Sequence, residues 1–251
     1  VSANANADVV IIGGGMVGNT LACSLGDSDL SVAVVEAQAP LPLTTAAPAE
    51  LRVSAINLAS QRLFTALGVW PLMTAQRVSP FREMEVWDST GSGLIHFDSA
   101  EIGQAHLGHI IENRVIQSAL WQRLGDFTNV TRLSPAHLLE FEREEHQARL
   151  KLEDQRTLTT RLLVGADGAH SRVRQGAGIA SHGWAYDQEA VVTTVRTEQS
   201  HQETAWQRFL PDGPLAFLPL SDGRSSIVWS TTPPHAARLL SLSPEQFAYE
   251  L

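Results

Sequence analysis

The stretch that most constrains the fold is residues 9–18, VVIIGGGMVG, in which a run of mostly β-branched residues ends at three consecutive glycines. Its apolar part predicts a short buried strand at residues 8–12. A second buried strand is predicted at residues 31–36, SVAVVE, with a helix at residues 16–25 between the two. Val17, Leu21 and Leu25 lie on one face of this predicted helix. Together these elements predict a right-handed βαβ unit with parallel strands.

The glycines fit the dinucleotide-binding pattern G-x-G-x-x-G at Gly13, Gly15 and Gly18. In that pattern the first glycine allows the tight turn, the second lets a pyrophosphate approach the backbone, and the third lets the helix pack closely on the strand. Glu36 ends the second strand, where a carboxylate can accept hydrogen bonds from an adenosine ribose. An acid here favours FAD or NAD over NADP. The alternative is a glycine-rich turn that binds no ligand.

Composition limits the class of protein and the partners that this chain can have. The chain has 251 residues, 43% of them hydrophobic, and a formal net charge of −9, which indicates a globular protein of one large or two small domains. The acidic balance disfavours a nucleic-acid partner. Its one cysteine, Cys23, excludes an internal disulfide and fits a reducing cytosol. No apolar run is long enough for a membrane-spanning helix, and the histidines show no spacing typical of a metal site, so we expect none.

A second segment, RLLVGADGAHSRVR at residues 161–174, also predicts a strand, a turn and a short helix. Such a segment alone is common, but its position far downstream of the glycine pattern is not. The combination resembles the flavoprotein aromatic hydroxylases, whose fold is that of p-hydroxybenzoate hydroxylase. In that family the Asp-Gly segment lies beside FAD and affects the binding of flavin and of reduced nicotinamide. The resemblance therefore implies cofactor-binding roles for Asp167, Gly168, Ser171 and Arg174. A solvated helix position is the alternative for Arg174.

Two further segments each predict an amphipathic helix that follows or contains an arginine. Residues 50–70, ELRVSAINLASQRLFTALGVW, place Arg52 just before one helix, and residues 108–124, GHIIENRVIQSALWQRL, place Arg114 in the first turn of another. With REMEVWD, HLGHIIEN, LAFLPLSD and SIVWS, these segments resemble the ubiquinone-biosynthesis branch of the family. In that branch arginines at these two positions contact the flavin diphosphate, a role that suits a guanidinium group. Local pairing is the alternative for Arg52.

The rest of the sequence is rich in strand patterns. A hairpin is predicted at residues 84–98, antiparallel strands at 138–165, and four strands of an antiparallel sheet after Trp184. Residues 39–49, rich in Ala, Pro and Thr, predict a surface loop. The predicted fold class is α/β, with a Rossmann-like FAD-binding domain interleaved with an antiparallel-sheet substrate domain. The predicted ranges are 1–80 and 102–182 for the FAD-binding domain, and 81–101 and 183–251 for the substrate domain.

The resemblance also implies an activity. It points to an FAD-dependent monooxygenase that hydroxylates a polyprenyl phenol at ring carbon 5 through a flavin C4a-hydroperoxide, with NAD(P)H or another donor as reductant. Because the cofactor supplies this chemistry, no catalytic side chain is predicted, and we expect His106 and His109 to be structural. The apolar substrate implies a cytoplasmic protein that meets the inner membrane or a ubiquinone-biosynthesis complex. The alternatives are hydroxylation at ring carbon 6, a flavin-dependent reductase, or a fragment that only binds nucleotide.

The last residues, SLSPEQFAYEL, start a predicted helix without a stop signal. In the family that the chain resembles, a further flavin motif follows this region. We therefore expect the C-terminal third of the family fold to be missing from the sequence. A chain without that motif is expected to be inactive and to hold FAD poorly.

Overall fold

The computed structural model describes residues 4–41 and 49–251, and the chain divides into two compact units. The first unit consists of Val1–Ala47, Leu63–Ala75 and Arg114–His182, and the second of Pro48–Arg62, Gln76–Asn113 and Gly183–Leu251. These boundaries differ from the predicted domain ranges, because residues 48–62, 76–80 and 102–113 group with the second unit. Most of the loop predicted at 39–49 lies outside the described residues.

The described residues form fifteen strands and seven α-helices. In chain order the strands are β1 (Asn4–Ile12), β2 (Val32–Val35), β3 (Val53–Asn57), β4 (Ser79–Phe81), β5 (Glu83–Asp88), β6 (Leu94–Asp98), β7 (Gly108–Glu112), β8 (Val130–Leu133), β9 (Leu138–Arg143), β10 (Ala148–Leu152), β11 (Thr157–Gly165), β12 (Glu189–Val195), β13 (Thr204–Leu210), β14 (Gly213–Pro219) and β15 (Ser225–Thr231). The helices are α1 (Met16–Ser24), α2 (Leu58–Ala66), α3 (Trp70–Thr74), α4 (Asn113–Leu124), α5 (Arg172–Gly176), α6 (Pro233–Leu240) and α7 (Pro244–Glu250). In this part of the chain, no helix is long and apolar enough to cross a membrane.

The first unit is built on a six-stranded sheet in the order β8-β2-β1-β11-β10-β9. The four strands β8, β2, β1 and β11 are parallel, and β10 and β9 continue the sheet antiparallel. The predicted strands at both ends of the βαβ unit are confirmed, and all four residues of β2 are buried. A core cluster that includes Val10, Ile12, Val35, Leu150 and Leu158 stabilises this sheet by removing apolar surface from water.

The helix face predicted at Val17, Leu21 and Leu25 is not the most buried face of α1, and Leu21 and Leu25 are only half-buried. Val17 is 76% exposed, and the residues that α1 buries are Gly18, Asn19, Ala22 and Cys23. A Cβ atom at Gly18 would overlap the carbonyl oxygen of Gly13, so the helix lies against the preceding loop at backbone distance. Only small side chains fit along a face that packs this closely, which overrides the apolar periodicity of the sequence.

The second unit contains two sheets. The larger has the order β12-β15-β14-β13-β5-β6, and the smaller has the order β3-β7-β4. The predicted hairpin is confirmed as β5 and β6, and the four predicted strands after Trp184 are confirmed as β12 to β15. All neighbours in the larger sheet are antiparallel except β13 and β5, which are parallel. The hairpin and the later strands therefore form one mixed sheet.

The helix predicted to begin after Arg52 is also wrong in its first part. Val53–Asn57 forms β3, which pairs antiparallel with β7 so that Val53 lies opposite Glu112, and α2 begins only at Leu58. The pairing strand, β7, is distant in sequence. Its hydrogen bonds to residues 53–57 override the helical spacing of the apolar residues and hold this segment as a strand. Arg52 therefore precedes a strand rather than a helix. Arg114 does lie in the first turn of α4, as predicted.

His109 lies on β7, the central strand of the small sheet, and is buried. Its ring is 4.2 Å from the ring of His106 between centroids, and His106 Nε2 lies 3.1 Å from Gln61 Oε1. Burial, together with the charge that His106 would carry, lowers the pKa of His109 from 6.5 to about 4. His109 is therefore neutral in the folded protein near neutral pH.

We predict that this histidine makes the protein acid-sensitive. Between its unfolded pKa of 6.5 and its folded pKa of about 4, the unfolded state binds a proton that the folded state does not. The free energy of unfolding should thus fall by about 2–3 kcal/mol as the pH is lowered through this window. Urea unfolding at a series of pH values measures the slope. His109→Gln should flatten it, whereas His146→Gln, at an exposed position, should not; equal slopes in both variants would contradict the assignment.

Candidate functional site

The carboxyl ends of three parallel strands meet at one edge of the first sheet. β1 has β2 on one side and β11 on the other, so the chain order reverses at β1, and open α/β sheets bind ligands at such a switch point. Two backbone hydrogen bonds fix the strand ends there: the Gly13 N–H donates to the Val35 carbonyl at 2.9 Å, and the Ala166 N–H donates to the Ile12 carbonyl at 2.7 Å.

A cleft of about 450 Å³ opens at this edge, within the size range of small-molecule sites. Five of the predicted cofactor-binding residues line it together: Gly13, Gly15, Glu36, Asp167 and Gly168. Among the lining residues that the sequence did not predict are Ala136, His137, Leu138, His170 and Arg172. Ala136 to Leu138 reach the cleft because β8 pairs with β2. That pairing is not visible in the sequence, and these residues carry no motif.

Each glycine of the pattern has a different steric surrounding. Gly13 has φ +102°, and a Cβ there would lie 2.8 Å from the backbone nitrogen of Asp167, so the turn has no room for a side chain. Gly18 meets Gly13, as described above. By contrast, a Cβ at Gly15 would meet no atom within 4 Å. Gly15 therefore borders open space directly before the first turn of α1, where backbone N–H groups favour an anion.

The Glu36 carboxylate is hydrogen-bonded to the glycine turn. Its Oε2 accepts the Gly14 N–H at 2.5 Å, and its Oε1 accepts the Gln38 N–H at 2.9 Å. Because each carboxylate oxygen can accept more than one hydrogen bond, both atoms keep capacity for ligand hydroxyl groups. Asn19, which is fully buried, donates from Nδ2 to the Gly14 carbonyl at 2.6 Å. Gly14 is thus held at both its N–H and its carbonyl, by residues that only the folded structure brings together.

Asp167 and Ser171 hold the second loop of the cleft. The Asp167 carboxylate accepts the Ser171 hydroxyl at 2.5 Å and the Arg172 N–H at 2.6 Å. The Ser171 Oγ in turn accepts the Arg174 N–H at 3.0 Å, which makes Ser171 the N-cap of α5. Ser171 is buried and does not line the cleft. It orders the loop through Asp167, while Gly168, with φ +82°, faces open space.

Arg174 points away from this cleft. Its guanidinium donates to the Ala169 carbonyl at 2.8 Å, and its side chain lines a separate cavity of about 510 Å³ beside Phe141 and Leu163. Arg172 lines the glycine cleft instead, and its guanidinium donates to the Leu138 carbonyl at 2.7 Å. The structure therefore brings Arg172, rather than the predicted Arg174, to the cleft.

The remaining two predicted residues, Arg52 and Arg114, lie near one end of the paired strands β3 and β7. Arg52 precedes β3, and Arg114 follows β7. The Arg52 carbonyl accepts the Asn113 N–H at 2.9 Å, and Arg114 is the next residue in the chain. The buried Glu112 carboxylate accepts the Glu50 N–H at 2.7 Å and pairs with the Arg77 Nε at 2.9 Å. The backbone around Arg52 is therefore fixed on both sides, and its exposed side chain extends from an ordered segment.

Comparison with known proteins agrees with this geometry. Residues 6–247 match the family described as FAD binding domain. The chain is 38% identical over 248 residues to the 3-demethoxyubiquinol 3-hydroxylase of Escherichia coli K12, covering 99% of this chain and 63% of that protein. It is 41% identical over 258 residues to the mitochondrial ubiquinone biosynthesis monooxygenase COQ6 of Rattus norvegicus, covering 96% of this chain and 53% of that protein. The chain thus spans only part of the length of these relatives.

The fold is also that of a solved structure. Pseudomonas aeruginosa PqsL in complex with 2-aminobenzoylacetate superimposes with a TM-score of 0.77 at 24% sequence identity, over 93% of this chain and 63% of that one. At this identity the likeness shows the fold alone. It confirms the predicted fold class, a Rossmann-like α/β sheet with a second, largely antiparallel sheet.

The cleft fits the adenosine diphosphate part of FAD. Open space at Gly15 matches a pyrophosphate, the N-terminal turn of α1 matches its charge, and the Glu36 oxygens match ribose hydroxyl groups. We predict that Gly15→Val abolishes FAD binding in an enzyme of full family length that carries this chain, because the branched side chain fills the open space. The flavin absorbance of the purified protein measures this. The free energy of unfolding of the apo protein should stay unchanged, whereas Gly18→Ala should lower it; full flavin content in Gly15→Val would contradict the assignment.

We predict that Glu36→Ala weakens FAD binding by about 1–3 kcal/mol, because ribose hydroxyl groups lose their acceptor. Glu36→Gln keeps one oxygen for the Gly14 N–H or the ribose and should lose less. Titration of the apo proteins with FAD compares the three dissociation constants. A loss of only a few tenths of a kcal/mol in Glu36→Ala would mean that this carboxylate only closes the glycine turn.

Proposed function

The chain belongs to the FAD binding domain family, and from that membership we propose that it carries the flavin and substrate sites of an FAD-dependent monooxygenase of ubiquinone biosynthesis. The proposed reaction is hydroxylation of the ring of a polyprenyl phenol. The observation that carries this proposal is the match of 99% of the chain to a relative named for hydroxylation of a demethoxyubiquinol. The cleft at the switch point supports the cofactor, because it joins the glycine turn to an acid at the ribose position.

In this proposal the first unit holds the nucleotide half of the cofactor. Gly13, Gly15 and Gly18 bring the N-terminus of α1 to the pyrophosphate, and Glu36 accepts the ribose hydroxyl groups. The loop ordered by Asp167 and Ser171 carries Gly168 at the border of the cleft. The resemblance also assigns Arg52 and Arg114 to the diphosphate, but neither residue lines the glycine cleft. Arg174 lines another cavity, so its proposed contact is with the reductant rather than with the glycine cleft.

When bound, reduced flavin would supply the oxygen-transfer chemistry, in which one atom of O₂ goes to the electron-rich ring and the other leaves as water. The protein's task is to bind and orient the ring and to keep water away. For this reason we assign no side chain as proton donor or nucleophile. NAD(P)H or another donor supplies the electrons. The polyprenyl substrate would bring the protein to the cytoplasmic surface of the inner membrane or to a ubiquinone-biosynthesis complex.

Two ring positions are candidates. We propose ring carbon 5 of the phenol, from the resemblance of the LRVSAIN and HLGHIIEN segments. The second candidate is ring carbon 6. It is favoured by the name of the Escherichia coli relative, 3-demethoxyubiquinol 3-hydroxylase, because a demethoxyubiquinol lacks one methoxy group on its ring. The two candidates share cofactor and reaction and differ only in which ring carbon is presented to the flavin.

We predict that an enzyme of full family length that carries this chain, loaded with FAD and given a reductant, isotopically labelled O₂ and a polyprenyl phenol, adds one labelled oxygen atom to the ring. Mass spectrometry detects the oxygen, and fragmentation of the product locates the ring carbon. Gly15→Val is the control that lacks the cofactor. Consumption of reductant without ring oxygenation would instead support a flavin-dependent reductase, and the absence of both would support a domain that only binds nucleotide.

A further inference from the structure

The larger sheet of the second unit has two faces of different character, and we propose that one of them holds the polyprenyl tail of the substrate. The inference rests on the proposed function, because it gives a place to the apolar part of the proposed substrate. It concerns the second unit alone. The cofactor cleft lies in the first unit and takes no part in it.

One face of this sheet is already covered by the protein's own helices. Val191, Leu215, Ile227 and Trp229 point to this face and form a core cluster with residues of α6 such as Ala236 and Leu239. Phe247 and Leu251, in and after α7, pack against the same cluster. This face therefore has no room for a ligand over β12, β14 and β15.

The opposite face carries an uncharged row that crosses all six strands. The strand register places these residues side by side, in the order Ile95, Val86, Gln207, Ala216, Val228 and Val192. We call this row the tail strip. Five of its six side chains are apolar and the sixth, Gln207, is neutral. The neighbouring row is covered over β5, β13 and β14, because Met84, Ala205 and Leu218 pack against residues of the small sheet such as Phe81 and Ile110.

The tail strip remains open to solvent, most of all at its two ends. Ile95 is 56% exposed at one end and Val192 is 37% exposed at the other. Phe97 and Phe209, which flank the strip on the same face, are each 45% exposed. Exposed large apolar side chains aligned on one face mark a binding surface rather than random exposure, and their burial under an apolar ligand is favourable.

The shape of the tail strip selects a linear ligand. Neighbouring strands lie about 4.8 Å apart, so the five intervals between β6 and β12 span roughly 24 Å. The strip is long, one residue wide and uncharged. These properties match an extended isoprenoid chain lying across the strands, and a compact aromatic ring would cover only a small part of it.

A binding experiment tests the proposal. The protein is titrated with phenols that carry progressively longer isoprenoid tails, and binding is followed by isothermal titration calorimetry. Affinity should rise with each added isoprenoid unit and level off once the tail is as long as the strip. Ile95→Glu should lower the affinity for the long-tailed phenol by about tenfold or more, because a carboxylate must lose water beside the hydrocarbon. The same variant should leave the affinity for the tail-free phenol unchanged.

Leu94→Glu is the matched control. Leu94 is the preceding residue on the same edge strand and is 59% exposed, but it points to the opposite face, where it pairs with Trp87. Val192→Glu repeats the test at the other end of the strip, so the conclusion does not depend on how one variant folds. Equal losses in Leu94→Glu and Ile95→Glu would overturn the proposal, as would an affinity that does not depend on tail length.

The outcomes separate this inference from the proposed function. Ring oxygenation together with binding that ignores the tail would overturn the tail strip and leave the monooxygenase intact. Tail-dependent binding that is sensitive to Ile95→Glu, without ring oxygenation, would support the strip and overturn the proposed reaction.

Discussion

The site depends on one steric constraint, which is that three stretches of main chain meet at Gly13 with no room for a Cβ atom. The backbone of Ala166 and Asp167, directly after β11, lies against Gly13 on one side, and Gly18 of α1 lies against its carbonyl on the other. Because these contacts join backbone to backbone, they fix the positions of β1, α1 and β11 together. The N-terminus of α1 and the loop that follows β11 must then open toward the same space.

Hydrogen bonds to the loops complete what this packing begins. Gly14 is held at its N–H by Glu36 and at its carbonyl by Asn19, and Asp167 orders the opposite loop through Ser171 and the backbone of Arg172. Every one of these groups is positioned by the protein itself. A ligand that enters an ordered site loses less of its binding free energy to the ordering of the loops. The conformational entropy lost in ordering the loops is offset when the protein folds, mainly by burial of the strands of the first sheet.

The sequence predicted the elements that local patterns encode and missed what distant pairing decides. The glycine turn, the acid at Glu36 and the turn at Asp167 were recognisable, because their chemistry is written in adjacent residues. The strand at residues 53–57 was predicted as helix, since its partner β7 is remote in sequence. For the same reason the sequence could not show that Arg172 lines the cleft in place of Arg174. A motif gives residue types at fixed spacing, but the direction of a side chain depends on the fold.

The parallel pairing of β5 with β13 also determines when the second unit can form. The hairpin of β5 and β6 is complete early in the chain, but its inner edge pairs with a strand that is synthesised much later. Until β13 leaves the ribosome, the backbone edge of β5 stays unpaired beside Val86 and Ile95. Contacts between such distant segments form slowly, and an unpaired strand edge of this kind invites aggregation. The second unit can therefore complete its larger sheet only after β13 has been synthesised.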